Sequence, residues 1–218
     1  MGTGETPGDA ATQAKERSGV YGFLAAVFRE EVNAEALKQL KEPGFAEALS
    51  AAGVDGGGDF LARPEGELLE ELAVEYARLF LGPGKHVSPY ASVYLEGKGR
   101  TLWGKTTESV KTYLESSGFE FRENYHGLPD HISVEMEFMQ YLASIEGRAL
   151  DEDDQETFAE CRKLEGEFLV GHMIKWVPLF CWEIAAAAEL PFYRRMAELT
   201  RDFIQAESAE LGLPMETG

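Results

Sequence analysis

The chain has 218 residues, of which 44% are hydrophobic and 11% aromatic, enough material for one large domain with a substantial core. Its 39 acidic residues outnumber the 20 basic ones and give a formal net charge of −19, which disfavours nucleic acid and favours cationic partners. Two cysteines and no apolar run of the roughly 18 residues that span a bilayer predict a reduced cytoplasmic protein without disulfides or membrane insertion.

The apolar residues recur at helical spacing from Ala11 onward, so the sequence predicts an all-α fold. Residues 1–11 are predicted to form a disordered tail, 12–212 a single domain of eight or nine helices, and 213–218 a second tail. Three consecutive glycines at 56–58 form a candidate hinge. This hinge leaves both a monomer and a segment-exchanged homodimer open.

The middle of the chain carries a long helix and then a long loop. The helix is predicted to follow Pro64 and to end at Gly82-Pro83. Its apolar stripe includes Tyr76 and Phe80, at a spacing that suits either a buried core or a binding groove. Residues 82–104 lack a helical period but contain several aromatic side chains, so we expect an ordered loop packed on the helices.

A further helix is predicted to begin after Pro129, with Asp130 as its N-cap and Gly147 as its end. His131 and Glu135 are four residues apart on this helix, but no third ligand accompanies them. Asp130 next to His131 has no nucleophile motif beside it. We therefore predict neither a metal site nor a catalytic residue.

Three segments, in this order, closely resemble the TorD/DmsD/NarJ family of molybdoenzyme-specific chaperones. They are EYARLFLGP at 75–83, PYASVY at 89–94 and PDH at 129–131. The likeness is clearest from Leu68 to Leu142. The resemblance implies an all-helical cytoplasmic protein that is not an enzyme.

Such a protein binds the twin-arginine signal peptide or the cofactor-free body of a molybdoenzyme catalytic subunit. It assists insertion of the molybdopterin cofactor and delays export until that step is complete. Carried over by position, the peptide site is framed by Tyr76, Leu79, Phe80, Pro89, Ser92, Tyr94, Trp103, Gly104, Pro129, Asp130 and His131.

The resemblance implies no permanently bound cofactor. Gly127-Leu128 stand where many relatives carry Glu-Pro before the Asp-His element. Contact with a guanine nucleotide or with the molybdopterin cofactor is therefore kept only as an alternative.

The acidic charge of the chain suits a peptide with two arginines, because arginine and carboxylate pair in bidentate geometry. We hypothesise that Asp130, with Glu123 or Glu135, meets the arginine pair. The apolar part of the peptide would contact three aromatic residues: Tyr76, Phe80 and Trp103. Two other classes stay open, a helical nucleotide-binding protein or enzyme that uses Asp130-His131, and a helical interaction scaffold.

Overall fold

A computed structural model describes residues 7–54, 60–82, 85–96, 103–121 and 125–211. The all-α prediction is confirmed, and the described ranges contain ten α-helices. Nine were expected at most, and the additional one is the short α5 inside the long loop. The helices are Pro7–Arg29 (α1), Ala34–Leu40 (α2), Pro43–Ala51 (α3), Glu65–Tyr76 (α4), Ala91–Leu95 (α5), Lys105–Ser116 (α6), Ile132–Asp151 (α7), Gln155–Gly171 (α8), Val177–Ala187 (α9) and Pro191–Glu210 (α10).

The chain groups into two compact units. Unit 1 comprises residues 1–26, 90–176 and 204–218, and unit 2 comprises 27–89 and 177–203. Helix α1 begins at Pro7 and Ala11 is buried, so ordered structure starts inside the range predicted as a tail. The candidate hinge at 56–58 and the tail at 213–218 lie outside the described residues.

The length and composition of the described helices bear on membrane crossing. None of them alone is both long and apolar enough for a bilayer, and only the bent pair formed by residues 155–175 and 177–187 reaches that length and composition.

Unit 1 is built on α7, which is buried along most of its length and packs against α8. The prediction that Gly147 ends this helix is wrong, because α7 continues to Asp151. A Cβ at Gly147 would lie 3.2 Å from Cγ of Lys15 and 3.5 Å from the carbonyl oxygen of Ala11. The glycine therefore allows α1 to approach α7 closely, which is a packing role.

A buried ion cluster joins four helices of unit 1. The Arg17 guanidinium of α1 donates to Glu146 of α7 at 2.7 Å, to Glu165 of α8 at 2.5 Å and to Glu207 of α10 at 2.8 Å. All four side chains are less than 10% exposed. Burial alone would lower the pKa of Arg17, but the three carboxylates raise it above its ordinary value, so the guanidinium stays charged.

We predict that this cluster makes unfolding easier as the pH rises toward neutral. Burial raises the pKa of Glu165 from 4.5 to about 7, although Arg17 opposes the shift. Between these pH values the folded protein holds a proton that the unfolded chain has released. The stabilisation is therefore complete below pH 4.5 and is lost as the pH rises through about 7, with a slope of at most about 1.4 kcal/mol per pH unit.

The measurement is urea unfolding across this pH range for the wild type and Glu165→Gln. The glutamine side chain cannot titrate, so its variant should show a flatter pH profile of the unfolding free energy. An identical profile for both proteins would contradict the prediction.

Candidate functional site

Residues 90–92 of the long loop are hydrogen-bonded to the residues just before α7, within unit 1. Tyr90 and His131 form an isolated antiparallel bridge, and their rings lie 5.0 Å apart. The backbone N–H of Ala91 donates to the carbonyl oxygen of Asp130 at 2.9 Å. The backbone N–H of Ser92 donates to Oδ2 of Asp130, also at 2.9 Å. The described part of the loop is thus packed on a helix, as the sequence predicted.

The N-cap of α7 is His131, so the prediction that Asp130 caps this helix is wrong. The N–H of Ser133 donates to Nδ1 of His131 at 3.1 Å. The Asp130 carboxylate is instead engaged by Ser92, 38 residues earlier in the chain. Asp130 therefore holds the start of α5 against the start of α7.

Glu135 lies one turn into α7 and is fully buried. Nε1 of Trp176 donates to Oε2 of Glu135 at 3.0 Å, and the Trp176 ring lies 5.5 Å from the ring of Tyr94. Burial raises the pKa of Glu135 well above its ordinary value, and the neighbouring Asp130 charge raises it further, whereas the Trp176 bond lowers it. Burial and the Asp130 charge therefore both disfavour the ionised form of the Glu135 carboxyl.

This arrangement corrects the hypothesis that Asp130 and Glu135 meet an arginine pair directly. Both side chains are 0% exposed, so neither presents its carboxyl group at the surface to a guanidinium. Glu123 lies outside the described residues. Asp130 positions the loop instead of presenting its charge at the surface.

Three buried oxygens in this region have no hydrogen-bond partner among the described residues: Oγ of Ser92, Oδ1 of Asp130 and Oε1 of Glu135. Each such group costs roughly 1–3 kcal/mol when left unsatisfied. The region therefore differs from an ordinary apolar core.

Replacing Asp130 with alanine should lower the unfolding free energy by about 1–3 kcal/mol, because the buried N–H of Ser92 loses its acceptor. Asp130→Asn retains an acceptor oxygen and should cost less. Chemical denaturation measures both variants, and an alanine variant as stable as the wild type would show that this bond does not hold the loop.

Trp103 and Gly104 stand at the start of α6, also in unit 1. Trp103 is 70% exposed and has a positive φ of 70°, which is a strained backbone for a large side chain. Oε1 of Glu96 accepts from the N–H of Thr106 at 2.6 Å. A Cβ at Gly104 would overlap the Glu96 carboxylate, so the glycine makes room for this cap and leaves Trp103 projecting outward.

The apolar motif residues at the end of α4 and in the π-helical segment Ala77–Leu81 that follows it are core residues of unit 2. Tyr76 and Phe80 are about 95% buried, and Leu79 is 1% exposed. The Tyr76 and Phe80 rings lie 4.8 Å apart. Three other rings of the same unit lie 6.2 to 6.4 Å from Tyr76 or Phe80: Phe28, Phe180 and Tyr193. The Phe192 ring extends this cluster at 5.1 Å from Tyr193. Of the two interpretations of this stripe, the structure supports the buried core.

The two prolines among the predicted site residues both lie close in sequence to the bridge between Tyr90 and His131. Pro89 is half-buried immediately before Tyr90, and Pro129 is buried immediately before Asp130. Both prolines restrict the backbone that leads into the bridge, because proline fixes its own φ and limits the conformations of the preceding residue.

Glu75 is the first residue of the 75–83 motif segment, but its sequence position predicted no role for it. Its Oε1 accepts from the N–H groups of Glu189 at 2.6 Å and Leu190 at 3.1 Å, at the turn before α10. Its two oxygens also accept from Nε and Nη2 of Arg78, each at 2.8 Å. Burial opposes ionisation, but the bonds from Arg78 and the backbone hold the pKa of Glu75 below its ordinary value. The i,i+3 Glu-Arg spacing was the available signal.

Comparison with known proteins places these motifs in a family. The family model described as nitrate reductase delta subunit matches residues 31–182. The chain belongs to the nitrate reductase delta subunit family. The matched range includes all three motif segments, and the family membership confirms the resemblance stated from them.

Individual proteins that are similar to this chain are named as chaperones. Chaperone protein TorD of Photobacterium profundum is 30% identical over 142 residues, which cover 65% of this chain and 64% of that protein. Chaperone protein TorD of Vibrio parahaemolyticus is 25% identical over 208 residues, covering 90% of this chain and 95% of that protein. These similarities support the predicted class of maturation chaperone.

One solved structure shares the fold of this family member. It is a crystal structure from Archaeoglobus fulgidus, described as a redox enzyme maturation protein, with a TM-score of 0.52 and 20% identity. The match covers 87% of this chain and 93% of that one. The similarity supports the helical fold.

Proposed function

We propose that this protein is a maturation chaperone that binds the twin-arginine signal peptide and the cofactor-free body of a molybdoenzyme catalytic subunit. The observation that carries the proposal is the family match over residues 31–182, together with relatives named as chaperones. Binding in this role assists cofactor insertion and delays export. It places the protein in the cytoplasm, where the precursor is made.

Charge and exposure support a peptide client. The net charge of −19 attracts a segment with two arginines. The outward Trp103 offers an aromatic contact of the kind that anchors protein interfaces. Asp130, Ser92 and Tyr90 hold the neighbouring loop in place.

The enzyme alternative, which uses Asp130 and His131, has less support. The Asp130 carboxylate bonds to the Ser92 backbone, and Nδ1 of His131 accepts from Ser133. Neither arrangement gives the carboxylate-oriented imidazole that general-base catalysis uses. The relatives are also named as chaperones.

The test is calorimetric titration with a synthetic twin-arginine signal peptide and with the same peptide carrying two lysines. We expect saturable binding of the arginine peptide and at least about tenfold weaker binding of the lysine peptide, a difference of about 1.4 kcal/mol. Equal affinity would contradict arginine recognition. The absence of binding to either peptide would contradict signal-peptide binding altogether.

A further inference from the structure

Unit 2 carries an acidic cleft on the exposed side of α4. The cleft has a volume of about 540 Å³ and is bordered by α4 and by the turn between α9 and α10. Five of its eight lining residues are glutamates and one is an arginine. The lining consists of Glu67, Glu70, Glu71, Val74, Glu75, Arg78, Glu189 and Leu190.

One guanidinium group already sits in this cleft. Arg78 donates two hydrogen bonds of 2.8 Å to Glu75, and its Nη2 also donates to the carbonyl oxygen of Ala187 at 2.8 Å. The Arg78 side chain further lies 3.6 Å from Glu189. The pair of Arg78 and Glu75 therefore shows that a carboxylate of this cleft binds a guanidinium in bidentate geometry.

Further carboxylates along the cleft remain accessible. The Glu70 side chain is exposed and makes no hydrogen bond or ion pair in the described part of the chain. Glu67 is exposed and lies 3.9 Å from Arg63, whose guanidinium is engaged by Glu71 in a bidentate pair at 2.6 and 2.7 Å. Glu67 and Glu70 are three residues apart, so their carboxylates neighbour each other on the helix surface.

The exposed side of the helix changes from acidic to apolar toward its C-terminus. Val74 is 64% exposed, and Leu81, at the end of the π-helical extension Ala77–Leu81, is 69% exposed. From Glu67 to Leu81 the helix rises by about 20 Å at roughly 1.5 Å per residue. A twin-arginine signal peptide has the same order, with arginines first and an apolar segment after them.

We propose that the exposed surface of α4 and its π-helical extension binds the twin-arginine segment. The arginine pair lies over Glu67 and Glu70, and the apolar segment lies along Val74 and Leu81. The inference rests on the proposed function and adds a place and a direction to it. The occupant follows from charge complementarity at one end and exposed apolar side chains at the other.

The test is titration of the Glu67→Gln/Glu70→Gln protein with the arginine and lysine peptides. We expect affinity for the arginine peptide to fall about tenfold, with a smaller loss for the lysine peptide, because the carboxylates lose their bidentate pairing. Leu81→Ser should weaken both peptides equally. The thermal unfolding midpoint should not change in either variant, since the replaced side chains are exposed.

The control is Glu35→Gln/Glu47→Gln, which removes the same charge from exposed positions of unit 2. Its affinity for the arginine peptide should change less than about threefold if only the overall field is altered. Arginine-peptide binding that is equal in the wild type and the cleft variant would overturn this site and leave the proposed function standing. An equal loss in the control would also overturn it, and no binding by the wild type would instead reject the proposed function.

Discussion

Replacing Arg17 with methionine should lower the unfolding free energy by about 3–5 kcal/mol. The methionine side chain fills a similar volume but leaves three buried carboxylates without their shared cation. The second cation, Arg162, lies farther from Glu165 at 3.4 Å and from Glu146 at 3.7 Å. Urea unfolding at pH 8 measures the loss when the carboxylates are most fully ionised.

Lys15→Met is the matched control, because Lys15 lies two residues earlier on the same helix. Its ion pair with Asp151 is short at 2.6 Å, but both side chains are at least half exposed. An exposed pair of this kind contributes at most about 1 kcal/mol. Similar losses of unfolding free energy in the Arg17 and Lys15 variants would show that the buried cluster stabilises the protein no more than an exposed ion pair does. The Arg17 variant should also lose less stability in acid, where protonation removes the unpaired charges.

Phe80→Ala should destabilise unit 2 by about 3–5 kcal/mol, the usual cost of removing a buried phenylalanine ring. The side chain is 6% exposed and contacts the rings of Tyr76, Phe28, Phe180 and Tyr193. Thermal and chemical unfolding measure the loss. Reduced peptide binding by this variant would then reflect unfolding, so binding is compared at a temperature where the variant is folded.

The next residue supplies the control. Leu81 is 69% exposed, and Leu81→Ala should change the unfolding free energy by no more than about 0.5 kcal/mol. The two variants together separate the core role of the motif from a surface role. If Phe80→Ala were as stable as Leu81→Ala, the ring cluster would not be a structural core.

Most helices could be predicted because their apolar residues follow a period of 3.6. Helix α5 could not, since five residues between Ala91 and Leu95 are too few to show that period. Its position depends on the distant Asp130 carboxylate. Gly147 was misassigned for a related reason, because a glycine that permits close helix packing has the same sequence signature as one that ends a helix.

The sequence identified part of the arrangement around the start of α7 but not the roles of its residues. The motifs located the segments that meet at Ser92, Asp130 and His131. They did not reveal that Asp130 and Glu135 are buried, since burial depends on what the loop covers. The Arg17 cluster had a weak signal: Arg17 follows Ala14 and precedes Tyr21 at the spacing of a buried stripe.

The Arg17 cluster also bears on how the protein is made. Arg17 and Glu207 are separated by 190 positions in the chain, and contacts this distant close late because long loops must be ordered first. Among the described helices α10 is synthesised last, so the emerging chain carries Arg17, Glu146 and Glu165 before Glu207 is added. The ion cluster therefore cannot be completed before α10 has been synthesised, and a chain truncated before α10 lacks the Glu207 partner of Arg17.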